Sequence, residues 1–199
     1  MVEHVNITDP NIHEPKGIAS ASNGQVYVAD GAGSGDWTTY NWHGWGFYED
    51  SGSGTQTFTT TASLIQLDAG AAATEESYLP LSIRGSGSLW DGTNDHLTPI
   101  ATGDVYTIRL DLPVTATSGT PTIITVTVDQ GGLSSISDTI TSVNVPVDTA
   151  PYTISLEKSI QILSTAKSNG VQLFIATDTG DISVDNPSIL ITRLSAGDL

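Results

Sequence analysis

Hydrophobic and polar residues alternate along most of the chain. In residues 105–112, Tyr106, Ile108, Leu110 and Leu112 fall on one side of an extended backbone, with Thr107, Arg109 and Asp111 on the other. A period of two marks a half-buried strand. The same pattern runs through residues 123–128, 139–147, 152–156 (continuing toward 160–163), 171–176 and 189–194. Earlier segments with strand character are residues 45–48, 55–60, 63–67 and 78–83. Threonine, valine and isoleucine dominate them, as suits a pleated sheet. Turn signals separate the runs: Ser118-Gly119-Thr120-Pro121, Gln130-Gly131-Gly132, Ser168-Asn169-Gly170 and Asp178-Thr179-Gly180-Asp181. Many short strands at this spacing predict an all-β sandwich or barrel, and about eight to ten of them suit a jelly-roll β-sandwich. Helix is expected only in short pieces, such as the Ala-rich residues 70–76. No repeat of solenoid length is present.

The first 36 residues read differently. Asp9-Pro10 and Glu14-Pro15 enforce extended or turn backbone, because a residue before proline is pushed out of the helical region. Val26-Tyr27-Val28 makes one short strand, and residues 30–36 carry three glycines and read as a turn or linker. The predicted organisation is an extended N-terminal arm and linker, residues 1–36, followed by a jelly-roll domain, residues 38–199. An N-terminal edge strand of the main domain is the alternative for the first segment.

Composition narrows the function. The 199 residues carry 6 Lys plus Arg against 22 Asp plus Glu, a net charge of −16. That balance disfavours nucleic acid, whose phosphates need cations to replace their counterions. Only 14% of residues are charged, so most of the surface is Thr, Ser, Asn, Gln and Gly. Mean hydropathy is −0.02, and no apolar run reaches the roughly 18 residues of a membrane span. Met1-Val2-Glu3-His4 lacks the basic and apolar regions of a secretory signal, so synthesis in a cytoplasm is expected. Cysteine is absent, which excludes disulfides, zinc–thiolate sites and thiol nucleophiles.

No catalytic constellation stands out. His4, His13, His43 and His96 are scattered and form no HExxH or HxxxH motif. Gly31-Ala32-Gly33-Ser34-Gly35 lacks the strand-to-helix turn of a nucleophile elbow. Nothing places two carboxylates across a cleft as a glycosidase needs. Asp91 with Asp95, and Asp178 with Asp181, are candidates for calcium or for turn-capping carboxylates; neither pair matches an EF-hand loop. No cofactor is expected. The aromatic cluster Trp37, Tyr40, Trp42, Trp45, Phe47 and Tyr48 holds three of the four tryptophans. It is a candidate for core or intersubunit packing, with glycan stacking as the alternative. Asn6-Ile7-Thr8 is a formal glycosylation sequon without a secretory context.

Residues 12–19, Ile-His-Glu-Pro-Lys-Gly-Ile-Ala, running on to the Val-Tyr-Val-Ala-Asp-Gly-Ala-Gly-Ser-Gly-Asp-Trp of residues 26–37, resemble segments of tailed-bacteriophage head-decoration, head-fibre and tail-fibre proteins. In those proteins such a stretch precedes a trimeric jelly roll. Residues 188–194 also resemble the closing strand of tumour-necrosis-factor-like heads. The resemblance implies a non-enzymatic virion protein, made in the host cytoplasm and carried on the capsid exterior. Its partners would be the major capsid protein and two further copies of itself. Ile12, His13, Glu14, Pro15, Lys16 and Gly17 would anchor it to the capsid. A receptor-binding fibre tip that takes host surface glycans is the alternative.

Overall fold

The structure is a computed structural model. It describes residue 22 and residues 25–29, 35–39, 43–50, 54–67, 74–117, 122–130, 136–145 and 151–196. The chain divides into two compact units, residues 1–41 and 42–199.

In the first unit, β1 (Gln25–Ala29) and β2 (Gly35–Thr39) form an antiparallel hairpin. Gly35 and Asp36, expected in a linker, pair with Ala29 and Val28 as part of β2. Tyr27 faces Trp37 across the hairpin, ring centroids 5.5 Å apart at 66°.

The second unit opens with β3 (Gly44–Glu49), β4 (Gln56–Phe58), β5 (Ser63–Leu64), β6 (Thr74–Glu75), β7 (Trp90–Asp91) and β8 (His96–Leu97). The long strands follow: β9 (Val105–Ala116), β10 (Thr122–Asp129), β11 (Ile136–Val145) and β12 (Tyr152–Gln161). After α1 (Ser164–Asn169) come β13 (Val171–Thr177), β14 (Ile182–Val184) and β15 (Ser188–Ser195). Pairing is antiparallel throughout. One sheet runs β3-β15-β9-β12, with β4, β14 and β6 extending it; the other runs β11-β10-β13, with β5 and β8 sharing the far side of β13. Leaving aside the short β4, β6 and β7, and counting β5 with β8 as one position and β14 with β15 as another, gives eight strands in the order 1-8-3-6 and 2-7-4-5. Those are the two interlocked Greek keys of a jelly roll.

The alternation of β9 turns Tyr106, Ile108, Leu110, Leu112 and Val114 into the core. They meet Ile124, Val126, Val128, Leu173 and Ile175 of the facing sheet. Pro113 sits inside this central strand, where proline normally removes a ladder bond. A residue's N–H and C=O point to the same side of a strand, and the Pro113 carbonyl accepts from the amide of Asp185 at 3.1 Å. The missing N–H therefore falls at the gap between β14 and β15, where the neighbouring strand bends through Asn186 (φ 48).

Two expectations are corrected. Residues 78–83 are not a strand: the amides of Ile83 and Arg84 both donate to the Pro80 carbonyl, at 3.0 Å each, and close a turn. Residues 70–76 do not end as helix, since Thr74 and Glu75 pair with Tyr48 and Phe47. The one α-helix among the described residues, α1, lies where a strand was expected to run to residue 163 and a turn to follow. Gly170 closes it at φ 82, and a Cβ there would lie 2.5 Å from the His96 ring.

Candidate functional site

β3 decides which of the sequence-predicted aromatics do what. Its inward positions are Gly44, Gly46 and Tyr48; Trp45, Phe47 and Glu49 face outward. The inward glycines are steric requirements. A Cβ on Gly44 would lie 2.3 Å from the Pro80 nitrogen, and one on Gly46 would lie 2.5 Å from the Tyr48 hydroxyl. Tyr48 thus lies back over Gly46. Its hydroxyl donates to Glu76 Oε1 at 2.9 Å and accepts from the Leu89 amide at 2.9 Å. Ser88 also donates to Glu76 Oε1, and burial raises the Tyr48 pKa far above its ordinary value.

Outward, the registers of three ladders line up into rows. Phe47 lies beside Leu190, then Arg109, then Glu157; Trp45 lies beside Thr192, Thr107 and Ser159. The β3–β15 end of this face is therefore apolar and the β12 end polar. The Trp45 ring stacks on Tyr78, centroids 4.9 Å apart at 17°, and the Trp45 amide donates to the Tyr78 carbonyl at 3.0 Å. Tyr78 remains 56% exposed and Leu194, near the end of β15, 43%. Tyr78 was legible only as a strand residue; its membership of the patch comes from a turn the alternation hid.

Trp37 belongs to the hairpin, against Tyr27. Tyr40, Trp42 and the anchoring candidates Ile12, His13, Glu14, Pro15, Lys16 and Gly17 lie outside the described residues. The carboxylates proposed for calcium sit in turns. Asp91 Oδ1 accepts from the amides of Thr93 and Asn94 at 2.8 and 3.2 Å, and its Oδ2 accepts from the Asn94 side chain at 2.8 Å. The Asn94 amide group, those backbone amides and the nearby His96 hold its carboxyl below the usual range. Asp95 is buried and accepts the Leu67 amide at 2.9 Å. Asp178 accepts the Ile123 amide at 2.7 Å, which is the main cause of its lowered pKa. Asp181 is engaged through its backbone carbonyl, which accepts from Thr117. Among the described residues no three His, Cys, Asp or Glu side chains gather as a metal site requires.

One buried polar network was not anticipated. Arg193 points inward from β15 and meets Asp104 Oδ1 at 2.6 Å, with the side chains 3% and 0% exposed. The Tyr106 hydroxyl and the Ala101 amide donate to Asp104 Oδ2 at 2.8 and 2.9 Å, and the Ile100 amide donates to the Tyr106 hydroxyl. This knot ties β15 to the entrance of β9. The charged groups of Arg193 and Asp104 are buried within it. Among the described residues no helix is long and apolar enough to cross a membrane.

No protein-family model matches the chain, and no curated protein matches it in sequence. Solved structures resemble it in shape. The Eiger TNF of S. frugiperda aligns with 10% identity over 79% of this chain and 96% of its own, at a TM-score of 0.48. The PRD1 vertex protein P5 aligns with 15% identity over 99% and 98%, at 0.47. The jelly-roll assignment stands on the strand order itself.

Proposed function

We propose that this chain is a non-enzymatic virion structural protein of a tailed bacteriophage. It decorates or projects from the capsid exterior: the N-terminal segment, residues 1–36, attaches to the major capsid protein, and the jelly roll is displayed as a homotrimer. The observation that carries this reading is the outer face of β3 and β15. Trp45, Phe47, Leu190 and Tyr78 stand on the outward side of the sheet, whose β12 end is hydroxyl-rich. Such a patch on a small, highly acidic domain marks an interaction surface. A ring of identical copies covers it without leaving an open face. The resemblance of residues 12–37 to phage attachment segments supplies the context, and the taking up of Asp91, Asp95, Asp104 and Asp178 by internal hydrogen bonds favours a structural over a catalytic role.

In the attachment segment, Pro15 restrains the backbone and lowers the ordering cost of docking. Lys16 is the only Lys or Arg in residues 1–41 and would pair with a capsid carboxylate. Deleting residues 1–20 should abolish binding to particles lacking the protein, while circular dichroism of the jelly roll stays unchanged. Stoichiometric binding by the truncated chain would refute the anchor. Copy number per particle separates decoration, at many tens, from a tail-tip receptor binder, at a handful.

A further inference from the structure

We infer that the jelly roll carries a groove for a neutral, linear oligosaccharide, formed by two clefts that meet at Gly87 and Ser88. The first cleft, about 770 Å³, is lined by Glu75, Glu76, Ser77, Arg84 and Ser86 along with that junction. The second, about 580 Å³, continues from the junction past Ile83, Thr93, Thr98, Pro99, Ile100 and Lys167. Both are open clefts rather than enclosed cavities, which suits a chain-like ligand that could occupy the two in succession. A saccharide is amphipathic, with hydroxyl edges and C–H faces. The first cleft offers carboxylates, a guanidinium and hydroxyls; the second offers apolar walls from Ile83, Pro99 and Ile100, with threonine hydroxyls between them.

The polar groups are held in place before any ligand arrives. Glu76 is fixed through Oε1 by Tyr48 and Ser88. Arg84 is fixed by donating Nε and Nη2 to the Leu79 carbonyl, at 2.9 and 2.7 Å. Glu75 accepts the Ser77 amide at 2.7 Å, and its hydrogen bonds from Ser77 hold its carboxyl below the usual range. Groups immobilised in advance reduce the entropy lost on binding. At the junction a Cβ on Gly87 would come within 3.3 Å of the Ile83 Cβ, so a side chain there would crowd a wall of the second cleft. The charges are mixed: Glu75 and Glu76 against Arg84 in one cleft, Asp91 against Lys167 in the other. That favours a neutral ligand over a phosphate or a polyanion. One such site would bind weakly. Display of many copies, which is the part that rests on the proposed virion role, would convert weak sites into firm adhesion.

The test uses the full chain in solution, without particles, so its outcome is independent of capsid binding. Cellotriose, cellohexaose, maltotriose, maltohexaose and mannohexaose are offered in saturation-transfer NMR and titrated. Saturation transfer to at least one hexasaccharide is expected, with the matching trisaccharide weaker by at least about tenfold because it fills only one of the two clefts. Ser86→Trp in the first cleft and Thr98→Trp in the second sit at exposed positions, so the fold should survive both, and each should weaken binding by a similar factor. No transfer from any of the hexasaccharides at millimolar concentration would overturn the site. Equal binding of tri- and hexasaccharides, or binding that survives both substitutions, would overturn it as well.

Discussion

The two ends of one sheet present opposite surfaces. β12 closes one side of β9, and its outward residues are Thr153, Ser155, Glu157, Ser159 and Gln161, all exposed. β3 lies toward the other end, between β15 and the two-residue β6, and its outward residues include Trp45 and Phe47, half-buried beside Leu190. Both strands have the same inward job, with Ile154, Leu156 and Ile160 filling the core from one and Tyr48 from the other. The core therefore does not explain why one end is coated with hydroxyls and the other with rings. A partner does. The difference teaches that the outward parity of each strand, rather than its total hydrophobicity, carries the information about association.

The Arg193–Asp104 pair is buried between β15 and the entrance of β9, and the largest loss is expected there. Arg193→Met should cost about 3–5 kcal/mol in urea unfolding, because it leaves the Asp104 carboxylate buried without its cation. Replacing both partners by apolar residues should recover only part of that loss, because the Tyr106 hydroxyl and the Ala101 amide then lose their acceptor. A single substitution costing less than about 1 kcal/mol would show that the pair is not what joins β15 to β9.

The next effect breaks the comparison directly. Phe47→Lys and Leu190→Lys should each turn a trimer into monomers by light scattering, since truncating an interface anchor costs about 2 kcal/mol or more per contact. The same change at Ser155, on the β12 end, should leave the oligomer intact. Dissociation by Ser155→Lys and not by Phe47→Lys would move the interface to the other end. Within β3, Gly46→Ala tests the inward parity instead. Its Cβ would displace the Tyr48 hydroxyl and should cost about 1–3 kcal/mol of protomer stability without altering trimer affinity in proportion.

Much of this was legible from the alternation of the chain, because a period of two assigns each residue to a face once a strand is granted. The inward set of β9 and the parity of residues 123–128 and 152–156 follow from that alone. The failures share a cause. Residues 78–83 alternate as a strand does, yet Pro80 accepts two amides and makes a turn, a bond visible only when the chain is folded. The short strands β6, β7 and β8 carry two residues each, too few to show any period. Arg193 reads as an outward residue by type and faces inward by parity; only its meeting with Asp104, 89 positions away, reconciles the two. The groove at Gly87 and Ser88 joins turns on separate segments, and nothing local in the sequence marks it.

The smallest effect concerns the free side of β12. Lys158 stands at an inward-parity position between Leu156 and Ile160, opposite Ile108, on a strand whose outer side pairs with no other strand among the described residues. A ten-residue edge of this kind is a template for pairing with another chain, and an inward-placed charge is one of the ways proteins blunt it. Lys158→Ile should therefore stabilise the protomer slightly, by up to about 1 kcal/mol from added apolar burial. It should also make the protein associate in a concentration-dependent way that the Phe47→Lys substitution does not suppress. That combination separates accidental pairing along the β12 edge from assembly through β3. If light scattering of the double variant matches that of Phe47→Lys alone, Lys158 guards nothing, and the polar coat of β12 must itself be enough to keep that edge apart from its neighbours.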